Sequence, residues 1–120
     1  LPGVFLEEFM MPPYYEEKDL ERFQEIAKLR PELYDIFMNY YQSVMAEGAL
    51  SVREKALIAL AVAHAVQCPY CIDAYTRACL ENGSNLEEMT EALHVASAIK
   101  GGATLIHGIQ MHNVAAKISF

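Results

Sequence analysis

Basic residues are scarce in this 120-residue chain: 9 Lys and Arg stand against 16 Asp and Glu, a formal charge of −7. No basic stripe is present to neutralise phosphates, which argues against a nucleic-acid binder and, for the same reason, against an anionic membrane surface. Long apolar runs are missing too. The longest, Ala56 to Val66, contains His64 and is far short of the roughly 20 residues that cross a bilayer. Leu1 to Met11 has no basic n-region, so it does not read as a signal peptide. With no secretion signal visible, the expected setting is a reducing cytosol, where structural disulfides are rare. No run alternates at period two with β-branched density, so no sheet is expected. Neither an internal repeat nor a low-complexity tract is found. Cysteine is limited to three residues, and no second CxxC or HxxxH accompanies the single CxxC.

Apolar residues are plentiful, at 53% of the chain. That is enough to fill a core, and the excess predicts burial in a subunit interface. Leu1 to Tyr15 reads as an irregular arm ending in Pro12-Pro13, with Phe5, Phe9, Met10 and Met11 in need of cover. Residues 16–120 read as one helical domain. Leu20, Phe23, Ile26, Ala27 and Leu29 gather on one side of a helix over Asp19 to Leu29. Pro31 opens a second helix, with Leu33, Ile36, Phe37, Tyr40, Tyr41 and Val44 as its face and an end near Gly48. Ser51 and Glu54 form a capping box for a third helix reaching about Gln67, apolar almost all round from Ala56 and therefore expected to be buried on most sides. Pro69 breaks that helix and starts a fourth, which stops at Gly83. Asn85 and Glu88 cap a fifth, and Gly101-Gly102 is expected to interrupt or tightly pack the chain before a sixth segment through Ile118. The fold class is all-α, a compact bundle of about six helices.

The chemistry concentrates at Cys68-Pro69-Tyr70-Cys71. This reading puts Cys68 at an N-cap and Cys71 in the first turn. A free thiol has a pKa near ~8.5, and a helix N-terminus lowers it by favouring the anion. Three residues apart, the two sulfurs share a side and can reach disulfide distance, as in a dithiol that cycles. A pair of buried apolar cysteines and a zinc site with His64 as third ligand are the alternatives; zinc needs two ligands beyond the CxxC. No bound metal or cofactor is expected. Cys79 lies ~12 Å along the axis from Cys71, out of bonding range, and reads as a core or interface thiol.

Arg53 to Ala63 (REKALIALAVA), then Cys68 to Arg77 (CPYCIDAYTR), then Gly83 resemble the carboxymuconolactone decarboxylase family, and the CxxC resembles its alkylhydroperoxidase D-like branch. Ala65 to Tyr75 is further similar to peroxidase-like proteins associated with arsenosugar biosynthesis. The resemblance covers about Gly48 to His107. It implies an alkylhydroperoxidase D-like helical fold assembled as homotrimers or homohexamers. It also implies reduction of a hydroperoxide substrate, with an external thiol or dithiol as reductant. Carried over, Cys71 attacks the peroxide and Cys68 resolves it, although the helix terminus by itself favours Cys68 as the activated thiol.

Two positions depart from the family's proton relay. Its His, four residues after the second cysteine, is Tyr75 here, and its Glu, twelve before the first, is Ala56. Tyrosine, with an ordinary pKa near ~10, is a poor base at neutral pH. Glu54 is the nearest acid but points to a different side of the helix. His64, one turn before Cys68, is the candidate for a rebuilt relay, since imidazole titrates near neutrality; a packed core histidine is the alternative. Asp73 reads either as a tuner of the thiols or as a solvated residue of the helix start. His94, His107 and His112 read as structural or interfacial. The expected function is a thiol-dependent hydroperoxide reductase. A redox-sensing or arsenite-binding dithiol, lactone or decarboxylase chemistry, and a structural subunit with a vestigial motif are the alternatives.

Overall fold

The capping residues fall where helices begin. A computed structural model describes residues 16–118. It contains a 3-10 helix over Glu17–Lys28 and five α-helices: α1 (Pro31–Met45), α2 (Val52–Ala65), α3 (Pro69–Glu81), α4 (Leu86–Ile106) and α5 (Gly108–Lys117). No strand occurs among the described residues, so the all-α class is met. The arm expected over 1–15 lies outside the described residues. These residues divide into two compact units, with the boundary between Ser43 and Val44.

The first unit holds the 3-10 helix and most of α1. Three residues per turn stack side chains at i and i+3. Arg22 accordingly pairs with Asp19 at 3.6 Å and Glu25 at 2.5 Å, and Lys28 pairs with Glu25 at 3.5 Å. The Phe23 ring centroid lies 5.8 Å from that of Tyr34.

The second unit carries the dithiol. Ser51 Oγ accepts from the Glu54 amide at 3.0 Å, and Glu54 Oε1 accepts from the Ser51 amide at 2.9 Å. Asn85 and Glu88 repeat the exchange at 2.8 and 3.0 Å. Each cap is worth about 1 kcal/mol. Lys55 Nζ donates to the carbonyls of Val44 and Ala46, both at 2.6 Å, so α1 stops at Met45, short of the end expected near Gly48. A cation at a helix C-terminus also suits the dipole.

Helix α2 packs against α3 and α4. Ala56, Leu60, Cys79 and Met89 form the core cluster, with Leu57, Tyr75 and Ala78 packed on it. From Ala56 to Ala65 most of α2 is buried or half-buried, as its all-round apolar pattern predicts, and the open positions are Ile58 and Val62. Ala56, Leu60 and Ala63 are each 2% exposed, while Ile58 and Val62 are 50% and 52% exposed. The two neighbouring helices leave a stripe through Ile58 and Val62 open, as they do Val95, Ile99, Leu105 and Ile106 on α4. A correction concerns Gly101-Gly102, which lie inside a continuous α4. Among the described residues, no atom beyond the helix comes within 4 Å of a Cβ built at either glycine, so neither is a close-packing point there. Two glycines raise the cost of the helix by about 1 kcal/mol each, which the surrounding turns of a 21-residue helix absorb.

Candidate active site

Proline dictates the local geometry at the α2–α3 junction. The residue before a proline is pushed to extended backbone, and proline fits the first helical position. Cys68 has φ −107° and ψ 98°, and Pro69 opens α3. Cys68 is thereby the N-cap. Its Sγ accepts from the Cys71 amide at 3.2 Å, the bond that a Ser or Asp oxygen makes at this position. Cys68 and Cys71 are joined by a disulfide, with Cα atoms 5.2 Å apart. That separation lies in the ordinary disulfide range, so helix geometry accommodates the closed form. A helix N-terminus is in general a favourable place for an anion, and Cys68 occupies one.

The end of α2 is as tightly specified as the start of α3. The Cys68 amide donates to Ala63 O at 3.0 Å, and the Gln67 amide donates to His64 O at 3.1 Å. This is a Schellman ending, which requires a left-handed residue between the cap and Cys68. Gln67 supplies it, with φ +57°. Local backbone cost therefore sits directly before the dithiol.

His64 lies in the last turn of α2, half-buried, with Nδ1 2.9 Å from Leu60 O. A carbonyl only accepts, so Nδ1 carries the hydrogen of that bond and Nε2 is the nitrogen left to exchange a proton. Tyr75 packs on the core cluster that contains Ala56. Both positions at which the chain departs from the relay of the family it resembles thus belong to one apolar cluster. Glu54 is placed elsewhere. Its carboxylate is engaged in the α2 capping box, where the Ser51 amide and hydroxyl hold it below the ordinary carboxylate range. The helix between Glu54 and Ala65 rises about 16 Å, so Glu54 stands at the opposite end of α2 from the sulfurs.

Asp73 accepts from Arg77 Nε at 3.1 Å, one turn along α3. His94, His107 and His112 are exposed, and His107 marks the joint between α4 and α5. Cys79 is fully buried and free. Burial pushes its thiol pKa up, and the positive charge of Arg53 partly offsets this. Among the described residues, no three His, Cys, Asp or Glu side chains gather as metal ligands. No described helix is long and apolar enough to cross a membrane.

Two residues at this site escape a reading of the sequence. Glutamine in a left-handed conformation has no sequence signature; only the need to end α2 abruptly before Cys68-Pro69 pointed there. Lys100 Nζ donates to Ala65 O at 3.0 Å from 35 residues away, a contact that α4 makes by packing on α2.

A sequence model of the carboxymuconolactone decarboxylase family matches residues 31–111, which include both cysteines of the Cys68–Cys71 pair. The protein named "Uncharacterized protein 4 in cox locus" from Paracoccus denitrificans is 37% identical over 83 residues, 69% of this chain and 75% of that protein. A crystal structure of a Methanobacterium thermoautotrophicum protein superposes with a TM-score of 0.67 at 33% identity, covering 71% of this chain and 98% of that one. The apo form of a carboxymuconolactone decarboxylase family protein from Legionella pneumophila gives a TM-score of 0.65 at 34% identity, covering 76% and 82%.

Proposed function

The chain belongs to the carboxymuconolactone decarboxylase family, and from that premise we propose that it is a thiol-dependent hydroperoxide reductase of the alkylhydroperoxidase D-like branch. One observation carries the reading: two cysteines share the N-terminus of α3, close enough to be joined, with the Cys68 sulfur receiving the Cys71 amide.

The cycle runs as follows. The Cys71 thiolate attacks a peroxide oxygen; an S–O bond forms, the O–O bond breaks, and the departing alkoxide takes a proton to leave as alcohol. The Cys68 thiolate then attacks the Cys71 sulfur. An S–S bond forms and hydroxide leaves, protonated to water. Two electrons have passed from the dithiol to the peroxide, and an external thiol or dithiol returns them. The N-cap position serves Cys68 in both remaining roles, as the resolving nucleophile and as the thiolate expelled when reductant attacks Cys71. His64 Nε2, at the α2 end that leads into Cys68, is the proton carrier in this proposal, with Tyr75 as a hydrogen-bonding neighbour; Glu54 is held to capping.

The apolar surface left open on α2 and α4 supports a homotrimer or homohexamer, and a dithiol that must be re-reduced goes with a cytosolic setting. One observation favours a second reading. Position 56 is a buried alanine where the family's relay has an acid. A dithiol without that relay would serve as a redox sensor or arsenite-binding pair, because trivalent arsenic prefers paired thiolates.

Free-thiol titration before and after stoichiometric hydroperoxide separates the two. The wild type is expected to lose two thiols, reversibly with a dithiol reductant, and a sulfenic-acid probe is expected to label Cys71 in Cys68→Ser. No thiol loss in the wild type overturns the peroxidase reading; tight arsenite binding with no turnover establishes the second.

A further inference from the structure

The last four carbonyls of a helix have no partner within it. In α2 these are Val62, Ala63, His64 and Ala65. The amides of Val66, Cys68 and Gln67 take the first three, at 2.9, 3.0 and 3.1 Å. The Schellman ending cannot reach the fourth, and the Lys100 ammonium takes it at 3.0 Å.

We propose, resting on the dithiol reading above, that Lys100 is a positioning residue for the Cys68–Cys71 pair, closing the C-terminus of α2 and setting the field at the start of α3. Two helix ends of opposite polarity meet at Cys68. The N-terminus of α3 favours an anionic sulfur, whereas the C-terminus of α2, carrying partial negative charge three residues before it, opposes one. A cation bonded to the Ala65 carbonyl offsets the opposing end and leaves the favourable one. It also ties α4 to the end of α2 that leads into Cys68. The other titratable or charged side chains that these elements bring to this end are His64 in the last turn of α2, and Tyr70 and Asp73 near the start of α3. Asp73 is engaged by Arg77. Lys100 is therefore the cation that α4 contributes here.

The test uses the full chain, reduced, with alkylation by iodoacetamide followed over pH and located by mass spectrometry. Lys100→Met removes both charge and donor. Lys100→Gln keeps an amide donor without charge, and Lys100→Arg keeps both. At low ionic strength and neutral pH, Lys100→Met and Lys100→Gln are expected to alkylate about two- to five-fold more slowly at the dithiol, with the rate profile moved to higher pH, and Lys100→Arg to restore the rate. Added salt should shrink the difference, because screening acts on charge and not on packing. The dithiol–disulfide equilibrium in glutathione buffers should move toward the disulfide in both neutral variants. Unchanged alkylation in Lys100→Met and Lys100→Gln overturns the proposal, as does a change that Lys100→Arg fails to restore. Alkylation needs no peroxide turnover. A wild type inert to peroxide would thus remove the peroxidase reading and leave this test able to decide on Lys100.

Discussion

Gln67 and Gly83 occupy the same place in two matching helix endings, and only one of them is glycine. At the end of α3 the Ser84 amide donates to Cys79 O at 2.9 Å and the Gly83 amide to Leu80 O at 3.2 Å, the same pair of bonds that Cys68 and Gln67 make at the end of α2. Gly83 has φ +87° and Gln67 φ +57°. Left-handed backbone costs an L-residue roughly 1–2 kcal/mol, and glycine is nearly exempt. Gln67→Gly is therefore expected to stabilise the reduced protein by about 1 kcal/mol, read from urea midpoints, and Gly83→Ala to destabilise it by a similar amount. A Cβ at 83 would meet nothing within 4 Å among the described residues, so that cost is conformational. No gain from Gln67→Gly would mean that the glutamine side chain compensates its own backbone.

Arg53 and Glu88 bridge the first turns of α2 and α4 by an ion pair. The Arg53 guanidinium, with the Asn85 amide, holds the Glu88 carboxyl below its ordinary range. A depressed folded-state pKa gives stability that is present above the unfolded carboxylate value, near ~4.3, and lost as pH falls through the folded value. Glu88→Gln should thus be less stable than wild type at pH 7. The gap between the two should close in acid, as thermal melts at descending pH would record. A gap independent of pH would show that the pair contributes through packing alone.

Cys79 is predicted to resist both peroxide and alkylation in the native protein, because it is fully buried and burial holds it as a neutral thiol. Its raised pKa gives stability present below the unfolded value near ~8.5 and lost as pH rises through the folded value. Alkaline melts should show this loss, and Cys79→Ala should abolish it. Cys79→Ser places a hydroxyl among Ala56, Leu60 and Met89, at a cost of about 1–3 kcal/mol. Native-state labelling of Cys79 by mass spectrometry would contradict the prediction.

Reinstating the relay positions should reveal coupling between 56 and 75. Ala56→Glu alone puts a carboxylate where the side chain is 2% exposed, a change expected to cost about 3 kcal/mol or more. With Tyr75→His added, the carboxylate gains a partner, so the double variant should be more stable than the sum of the single changes. Its peroxide-dependent thiol loss should also be faster than that of wild type. Strict additivity in a double-mutant cycle would show that the two side chains do not meet.

Much of the helical layout was legible because its causes are local. Ser51 with Glu54 and Asn85 with Glu88 announce helix starts through bonds spanning three residues, and Pro69 forces its neighbour to be extended wherever the helix packs. The placement of Cys68 as N-cap of α3 follows from those constraints. Gly101-Gly102 do not interrupt α4 because glycine lowers helix stability without forbidding the conformation, and Ala98, Lys100, Ala103 and Leu105 around them are good helix formers. The end of α1 lies three residues before Gly48, where Lys55, ten residues beyond Met45, binds the last carbonyls, a contact with no local signature.

The sequence by itself determined the helix class, the caps and the spacing that lets two sulfurs meet at a helix start, since each depends on neighbours within a turn. Tertiary structure alone decided which stripe of α2 is left open, that Ala56 and Tyr75 share an apolar cluster, and that Lys100 caps Ala65. These are contacts between elements separated by many residues. Their partners are chosen by packing, which leaves no periodic trace in the chain.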